Sequence, residues 1–336
     1  MSESPESVLV VGCGAIGRRH LRNLAALGVA RLAACDPDPA RRAQAAELGA
    51  RGFAELDDAL EAARPEAVLV CTPPALHVAQ ASRSLQCGAH VFVEKPLAPD
   101  LAAADALVAL AEARPTRPRV VQVGYNLRFH PAIRRLAEVL RAGELGRPLW
   151  AFAEFGQYLP AWRPGDDFRA SYSVRTEDGG GVLLDVSHEL DYVLSLFGRP
   201  HRVGCMLGSA DALGVGTEES ASVQLAFPGG AHADVHVDFL QRTYRRGCRI
   251  VGSEGTASWQ WGEPWLALAS AGREGVECIP VDGAADMYME ELRHFLHCIA
   301  TATRPEAGLA EGRAALRVAL AARAAAASGR IEELTW

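Results

Sequence analysis

The sequence predicts an α/β Rossmann domain with a doubly wound parallel sheet, followed by an α+β domain with a large, open, mainly antiparallel sheet. Two observations predict the first domain. Short apolar runs alternate with helical patterns over residues 1–125, and a glycine-rich segment follows the first run. The second domain is predicted because strand-like segments joined by short turns dominate residues 126–336. At roughly 100–200 residues per domain, a chain of 336 residues is long enough for both.

The composition is that of an ordinary globular protein. It has 49% hydrophobic and 22% charged residues, and no apolar run approaches the ~20 residues of a membrane span. The net charge of −7 argues against nucleic acid or an anionic membrane as a partner. The eight cysteines form no CxxC pair and the N-terminus has no secretory pattern. We therefore expect a cytoplasmic protein with reduced thiols.

The elements of the first domain follow from the apolar pattern. Buried strands are predicted at residues 7–12, 31–36, 67–72, 90–93 and 119–124, because each is an apolar run bounded by turn residues. Helical spacing of apolar residues predicts helices at residues 15–27, 40–48, 76–87 and 100–113. A glycine follows each of the first three helices, as is typical of a helix C-cap. Alternating strands and helices indicate a parallel sheet covered on both faces.

The pattern changes after residue 125. One helix is predicted at residues 132–141. The glycine-rich segment 179–181 precedes another, and helices at residues 286–300 and 309–327 close the chain. The strand-like segments lie at residues 149–158, 220–227, 232–240, 249–252, 257–261, 265–269 and 276–281.

A GxGxxG segment lies between the first strand and the first helix. Gly12 permits a tight turn, Gly14 lets the backbone approach a pyrophosphate, and Gly17 lets the helix pack on the sheet. The pyrophosphate is expected beside Ala15 and Ile16, since free N–H groups and the helix dipole favour an anion at a helix N-terminus.

Asp36 ends the second strand, 24 positions after Gly12. A carboxylate there accepts hydrogen bonds from the adenosine ribose and repels a 2′-phosphate. NAD is therefore favoured over NADP as the cofactor. NADP stays the alternative, because Arg41 and Arg42 are close enough in sequence to accommodate its phosphate.

Further cofactor contacts are expected where two neighbouring strands end, since ligands of open α/β sheets bind at the carboxyl ends of the strands. Thr72 and Pro73 follow one strand, and Glu94 and Lys95 follow the next. His77 lies in the helix after Pro73 and is included among these candidates.

Lys95 is the one lysine among the 34 basic residues, and the other 33 are arginine. An ammonium group is a compact charge with a tunable pKa, whereas a guanidinium group stays protonated. A single retained lysine therefore indicates a position where arginine cannot substitute.

Asp185, His188 and Asp191 recur at a spacing of three after the triple glycine. This spacing predicts that they share one side of a single helix, off its apolar stripe. Neighbouring carboxylates would set the tautomer and basicity of the histidine. A helix with a solvated charged edge has the same pattern.

Five segments together resemble the Gfo/Idh/MocA family of NAD(P)-dependent oxidoreductases. They are GCGAIG with a following His20, TPPALH, VFVEKPLA, GYNLRFHP and GGGVLLDVSHELD, in the order of the family. The resemblance implies a Rossmann domain and a second domain whose open sheet covers the active site and often mediates homodimers or homotetramers. One departure is the spacing of Asp185 and His188, which are three apart with Ser187 between them. Many members have D-x-G-x-H.

The resemblance also implies hydride transfer between a nicotinamide and a secondary alcohol or ketone of a sugar, cyclitol or nucleotide sugar. Lys95 then assists the reacting oxygen, and His188 donates or accepts its proton. We expect Asp185 to orient His188 or to bind a neighbouring substrate hydroxyl, so these three residues are the catalytic candidates.

Substrate contacts beyond Asp185 and His188 are expected from two segments. One follows the last Rossmann strand, and the other is a loop whose aromatic and arginine residues suit sugar stacking and anion binding. The candidates are Tyr125, Asn126, Arg128, Tyr158, Trp162, Arg163, Arg169 and Tyr172.

Two other functions stay open. The family also contains glycosidases that use tightly held NAD for a transient oxidation, and nucleotide-sensing regulators without turnover. Retention of Lys95 and His188 argues against a regulator. No metal is predicted, because the alternating His and Asp residues of 232–238 are more typical of a polar sheet face or a dimer contact.

Overall fold

The computed structural model describes residues 5–113, 118–162, 167–208, 211–281 and 286–336. The chain divides into two compact units, Met1–Asn126 with Asp286–Arg313, and Leu127–Ala285 with Ala314–Trp336. Among the described residues, no helix is both long and apolar enough to cross a membrane.

The first unit contains a six-stranded parallel sheet over its described residues, in the order β3-β2-β1-β4-β5-β6. β1 and β4 are buried at every position because helices cover both faces. The order reverses between β1 and β4, so their carboxyl ends mark the edge where ligands of such sheets bind. The strands are β1 (Ser7–Val11), β2 (Arg31–Cys35), β3 (Arg51–Phe53), β4 (Ala67–Val70), β5 (His90–Val93) and β6 (Val121–Val123).

Five helices connect these strands and confirm the doubly wound architecture. Asp38 and Asp100 cap α2 and α5, each through a 2.8 Å hydrogen bond from a backbone N–H of the first turn. β3 and α3 lie outside the predicted elements. The three residues of β3 are too few to show a period, whereas α3 is amphipathic and was missed. The helices are α1 (Ala15–Ala26), α2 (Pro39–Ala46), α3 (Leu56–Ala63), α4 (Pro74–Gln86) and α5 (Leu101–Glu112).

The second unit contains a nine-stranded sheet over its described residues, in the order β14-β13-β12-β11-β7-β10-β9-β8-β15. Only the β7–β10 pair among these is parallel, so the predicted open, mainly antiparallel sheet is confirmed. The strands are β7 (Pro148–Gly156), β8 (Arg202–Gly208), β9 (Ser220–Ala226), β10 (His232–Asp238), β11 (Arg245–Gly252), β12 (Gly255–Gln260), β13 (Trp265–Ser270), β14 (Glu277–Pro280) and β15 (Glu332–Glu333).

The central strand β10 has one covered face and one polar face. In β10 the residues Ala233, Val235 and Val237 are buried, as alternation in a half-covered strand requires. On the opposite face, Nε2 of His236 lies 3.2 Å from Oδ2 of Asp238. β8 escapes sequence prediction because it is not uniformly alternating and exposes several side chains.

Two short helices stand where one was predicted. α7 (Val182–Asp185) and α8 (His188–Phe197) are separated at Val186, whose φ of −109° and ψ of +36° leave the helical region. Asp185 and Asp191 are both buried. The expectation that Asp185, His188 and Asp191 share one side of a single helix is therefore wrong, and the alternative of a solvated charged edge is wrong as well. The orientation of Asp185 and Asp191 is set by packing into the interior of the unit and not by the helical periodicity of the sequence.

The last two helices are α9 (Met287–Thr301) and α10 (Leu309–Ser328). α9 belongs to the first unit, because its apolar face joins the core built by β1 and α1, with Phe295 edge-to-face on Phe92 at 5.8 Å. The boundary predicted after residue 125 lies one residue from the end of the first segment of this unit. The prediction that all of 126–336 forms the second domain differs from the structure, in which 286–313 return to the first unit.

A buried ion pair attaches α8 to the sheet of the second unit. The Arg246 guanidinium donates to both carboxylate oxygens of Glu189, at 2.8 and 3.4 Å, and lies 4.5 Å from the ring centroid of Phe155. One turn along α8, the Tyr192 hydroxyl donates to the Gly247 carbonyl at 3.2 Å. These contacts fix the register of α8 on β11.

The helix α6 (Pro131–Arg141) is capped at its N-terminus by His130, whose Nδ1 accepts the Ala132 N–H at 3.2 Å. The imidazole ring contacts Trp259 and Trp261, with centroids 4.5 and 5.3 Å away. Burial, with the nearby Arg246 charge, lowers the pKa of His130 to about 4. The neutral ring is therefore the form that caps the helix.

This lowered pKa makes stability depend on pH. An unfolded histidine takes up a proton below about pH 6.5, whereas folded His130 does so only near pH 4. The unfolded state binds more protons between these values, so the free energy of unfolding should fall as pH decreases from about 6.5 towards 4. His130→Asn keeps a capping oxygen without titrating. Its urea-unfolding midpoint should lose less between pH 7 and pH 5 than that of the wild type. Equal losses would contradict the assignment.

The Glu189–Arg246 pair gives a second prediction. Arg246→Met leaves the Glu189 carboxylate buried without its guanidinium, so the free energy of unfolding should fall by about 3–5 kcal/mol. The double variant Arg246→Met/Glu189→Leu should recover most of this loss, since an apolar pair needs no desolvation of charge. Chemical denaturation measures both. Exposed Arg245→Met is the matched control, and a double variant as unstable as the single one would refute the argument.

Candidate active site

The glycine-rich turn after β1 has the geometry that its three glycines permit. Gly12 has a φ of +89°, and a Cβ there would lie 2.7 Å from the Cys71 carbonyl oxygen. A Cβ on Gly17 would lie 1.9 Å from the Gly12 oxygen, so α1 packs directly on the turn. At Gly14 a Cβ would meet no described atom within 4 Å. The backbone is therefore accessible at the middle glycine, as close approach of a pyrophosphate requires.

The N-terminus of α1 suits an anion. Gly14 is its N-cap, and no side chain of the described residues caps the helix there. The N–H groups of the first turn, which include Ala15 and Ile16, therefore remain for a ligand, reinforced by the helix dipole. Arg18 closes the turn behind them, with Nη1 donating to the Cys13 carbonyl at 2.8 Å. These features fit the pyrophosphate of a dinucleotide.

Asp36 ties the glycine turn to the end of β2. It is 3% exposed, and its two oxygens accept the N–H groups of Cys13 and Asp38 at 2.8 and 2.9 Å. Each carboxylate oxygen can accept a second hydrogen bond, so ribose hydroxyls remain possible donors. Arg42 donates Nη1 to the Asp36 and Pro37 carbonyl groups at 2.8 Å, which turns this guanidinium towards the backbone.

His77 has a different environment from that of an exposed cofactor ligand. It is fully buried, with Nδ1 2.8 Å from the Pro96 carbonyl oxygen and Nε2 2.8 Å from the Thr72 carbonyl oxygen. Burial lowers the pKa of His77, against the two carbonyl groups that favour its protonated form. The neutral ring donates to one of these carbonyl groups, and its other nitrogen faces the second. His77 therefore lies between the segments that follow β4 and β5, with both nitrogens directed at the backbone.

Glu94 and Lys95 follow β5 at the same edge of the sheet. Lys95 is half-buried and precedes a cis peptide bond to Pro96. Its backbone N–H donates to Oε2 of Glu94 at 3.3 Å, and Oε1 of Glu94 lies 2.8 Å from Nε2 of His20. Thr72 lies at the end of neighbouring β4, where its hydroxyl donates to the Gln80 side chain at 2.6 Å. The first unit thus gathers the predicted cofactor residues on one edge.

Tyr125 and Asn126 were predicted to bind substrate. Tyr125 is fully buried, so its ring presents no accessible surface. Asn126 is buried as well, and its side chain lies near the hydroxyl of Tyr288 in α9. Burial raises the pKa of Tyr288, whose ring also lies 4.4 Å from the Arg19 guanidinium carbon. Sequence analysis missed Tyr288, since nothing local relates α9 to the sheet edge.

In the second unit, the triple glycine is a closely packed loop. A Cβ on Gly180 would lie 2.3 Å from the Tyr172 carbonyl oxygen, and one on Gly181 would lie 2.4 Å from Oε1 of Glu218. Arg323 of α10 donates Nη2 to both the Gly180 carbonyl and Glu218, each at 2.6 Å. This clamp, contributed by a distant helix, holds the start of α7.

The catalytic candidates of this unit lie at the ends of α7 and α8. Asp185 ends α7 and accepts the Tyr172 hydroxyl at 2.6 Å. His188 is half-buried in the first turn of α8. Tyr172, predicted to bind substrate, therefore contacts the predicted catalytic carboxylate.

Arg128 has a structural partner in the same unit. Its Nε and Nη2 donate to the two carboxylate oxygens of Asp191, both at 2.7 Å. Asp191 lies on α8, so this bidentate pair holds the helix that carries His188. Arg128 was predicted to bind substrate. In the structure its guanidinium is directed at Asp191 and positions α8.

The aromatic loop contains one clear anchor. Trp162 packs edge-to-face on Phe155 and Phe239, at 5.9 and 5.4 Å. The Tyr158 ring lies 3.6 Å from the Arg242 guanidinium carbon, while Arg169 donates Nη2 to the Leu213 carbonyl at 3.2 Å. Arg163 lies outside the described residues. Substrate binding by this loop stays a prediction.

Comparisons with protein-family models match both units. Residues 7–125 match the model described as an oxidoreductase family with an NAD-binding Rossmann fold. Residues 133–258 match the model of the GFO/IDH/MocA C-terminal domain.

Named relatives agree with these matches. The UDP-N-acetylglucosamine 3-dehydrogenase of Acidithiobacillus ferrooxidans is 32% identical over 333 residues, which cover 94% of this chain and 96% of that protein. The inositol 2-dehydrogenase of Burkholderia vietnamiensis is 30% identical over 283 residues, which cover 80% of this chain and 77% of that one. Among solved structures, levoglucosan dehydrogenase in complex with NADH and levoglucosan has a TM-score of 0.88 at 21% identity, covering 98% of this chain and 99% of that one.

The last of these similarities concerns the fold alone, and the first extends over nearly the whole of both chains. The two family models match the N-terminal and C-terminal parts of the chain in the order that the sequence predicted. The chain therefore belongs to the Gfo/Idh/MocA family of oxidoreductases.

Proposed function

We propose that this protein is an NAD-dependent dehydrogenase or reductase acting on a secondary alcohol or ketone of a sugar, cyclitol or nucleotide sugar. The observation that carries the proposal is the glycine turn tied to Asp36 at the N-terminus of α1, in a member of this oxidoreductase family. Named relatives act on UDP-N-acetylglucosamine and inositol. Because the first of these is matched along its length, nucleotide-linked amino sugars are the substrates to test first.

Two residues are proposed to manage the reacting oxygen. His188 accepts the hydroxyl proton when an alcohol is oxidised and returns it when a ketone is reduced. Lys95 stabilises the charge that develops on that oxygen, since a preorganised cation lowers the barrier most where charge appears. Bound NAD would supply the hydride acceptor or donor.

Asp185 supports this chemistry. It is buried and accepts the Tyr172 hydroxyl at 2.6 Å, which restricts the carboxylate to one orientation. Because Asp185 lies three residues before His188, its oriented carboxylate can accept a hydrogen bond from the imidazole or from a neighbouring substrate hydroxyl. The Arg128–Asp191 ion pair holds α8 in place through a different side chain of that helix, so His188 is carried by a rigid element.

The proposal is tested first by turnover. Lys95→Ala and His188→Ala should each lower kcat by about 10²-fold or more, the range of general acid–base and electrostatic groups. Lys95→Arg should not recover activity, because the planar guanidinium replaces a compact, titratable amine. NAD affinity, measured by calorimetry, should change little. A spectrophotometric screen of sugars, inositols and nucleotide sugars supplies the substrate. Unchanged kcat in both alanine variants would remove this mechanism, and product formed without net NADH would favour the glycosidase.

The preference for NAD is tested at Asp36. Asp36→Asn keeps an oxygen for the Cys13 N–H but removes the negative charge. The ratio of NAD to NADP affinity should therefore fall at least about tenfold, since like-charge repulsion with the 2′-phosphate is lost. Asp38→Asn is the matched control, because Asp38 is a nearby exposed carboxylate that caps α2. An unchanged ratio in Asp36→Asn, or an equal fall in Asp38→Asn, would refute the role of Asp36.

A further inference from the structure

A buried histidine in the first unit has no part in the mechanism above. His20 lies in α1, two turns before its end, and is 0% exposed. Its Nε2 lies 2.8 Å from Oε1 of Glu94. A carboxylate has only acceptors, so Nε2 must carry the proton of this hydrogen bond.

The remainder of the imidazole is packed in an apolar and aromatic environment. Its ring lies edge-to-face against Phe92 and Tyr288, with centroids 5.2 and 6.4 Å away. Nδ1 has no hydrogen-bond partner among the residues that the structure describes. A polar ring that is buried for a single hydrogen bond costs free energy that an apolar ring in the same space would not. The advantage of a histidine over a phenylalanine at position 20 is therefore its hydrogen bond to Glu94.

Glu94 connects His20 to the proposed catalytic lysine. While Oε1 meets His20, Oε2 accepts the backbone N–H of Lys95 at 3.3 Å. The carboxylate also lies against Gly124 of the neighbouring chain segment, where a Cβ would be 3.0 Å from Oε2. The carboxylate is thus held on one side by an imidazole, on another by the backbone of Lys95, and fits closely against Gly124.

We propose that His20 is a positioning residue, which holds the Glu94 carboxylate and through it the turn that presents Lys95. It acts on the reaction through these two residues and not by contact with substrate. The inference rests on the proposed role of Lys95. A misplacement of about 1 Å in a catalytic group can cost about 10²-fold in rate, so a lost Glu94 contact should be visible in kcat.

The test compares two substitutions. His20→Phe keeps a ring against Phe92 but removes the donor, and should lower kcat by about 10²-fold. His20→Gln keeps a donor to Glu94 and should recover most of that loss. His90→Phe is the matched control, because His90 begins β5 and its Nδ1 accepts the Val120 N–H at 2.9 Å, away from Glu94.

A second readout needs no turnover. Because Lys95 is the only lysine, reductive methylation with 13C-formaldehyde labels this side chain and the terminal α-amino group alone. The 13C chemical shift of the methylated Lys95 amine should change in His20→Phe, since loss of the His20 contact frees the Glu94 carboxylate and moves the turn that carries Lys95. It should stay unchanged in His90→Phe.

The outcomes separate the inference from the proposed function. If no sugar is turned over by the wild type, the proposed function fails, and a shifted Lys95 signal in His20→Phe alone still supports the positioning role. An unshifted signal overturns that role, whatever happens to kcat. Equal shifts in His20→Phe and His90→Phe also overturn it, because they indicate a general loss of structure.

Discussion

The helix α1 packs directly on the turn after β1, and the arrangement of the cofactor-binding edge depends on this close approach. A side chain on Gly17 would overlap the carbonyl oxygen of Gly12, and one on Gly12 would overlap the carbonyl of Cys71. Without these side chains, α1 reaches the turn, the buried Asp36 carboxylate accepts the Cys13 N–H, and the helix N-terminus faces the end of the sheet. The same packing brings His20 of α1 to Glu94.

The ion pairs made by α8 in the second unit orient this helix more than they stabilise the fold. α8 carries two buried carboxylates, and each is paired with an arginine from another element, Asp191 with Arg128 and Glu189 with Arg246. Apolar side chains of similar volume could fill such positions at equal or lower cost. Bidentate pairs, however, define one rotation and one register of the helix, which is what a histidine at its first turn requires.

Local signals were sufficient for five strands and four helices of the first unit up to residue 125, but not for β3 and α3. The apolar runs and the glycine spacing are readable from the sequence because each is a pattern within one short segment. Helical phase was not sufficient for Asp185 and Asp191. The chain leaves the helix at Val186, and both carboxylates turn inward to Tyr172 and Arg128. Periodicity describes which side of a helix a residue occupies only while the helix continues.

The sequence alone determined the two-part architecture, the dinucleotide turn and the unusual status of Lys95, because these follow from periodicity, spacing and composition. Only the tertiary structure decided that 286–313 return to the first unit, that Tyr288 meets Asn126, and that Arg323 clamps the triple glycine. Each of these contacts joins residues more than a hundred positions apart. No local pattern encodes such a pairing, since it arises only when separately formed elements pack and their buried polar groups must find partners.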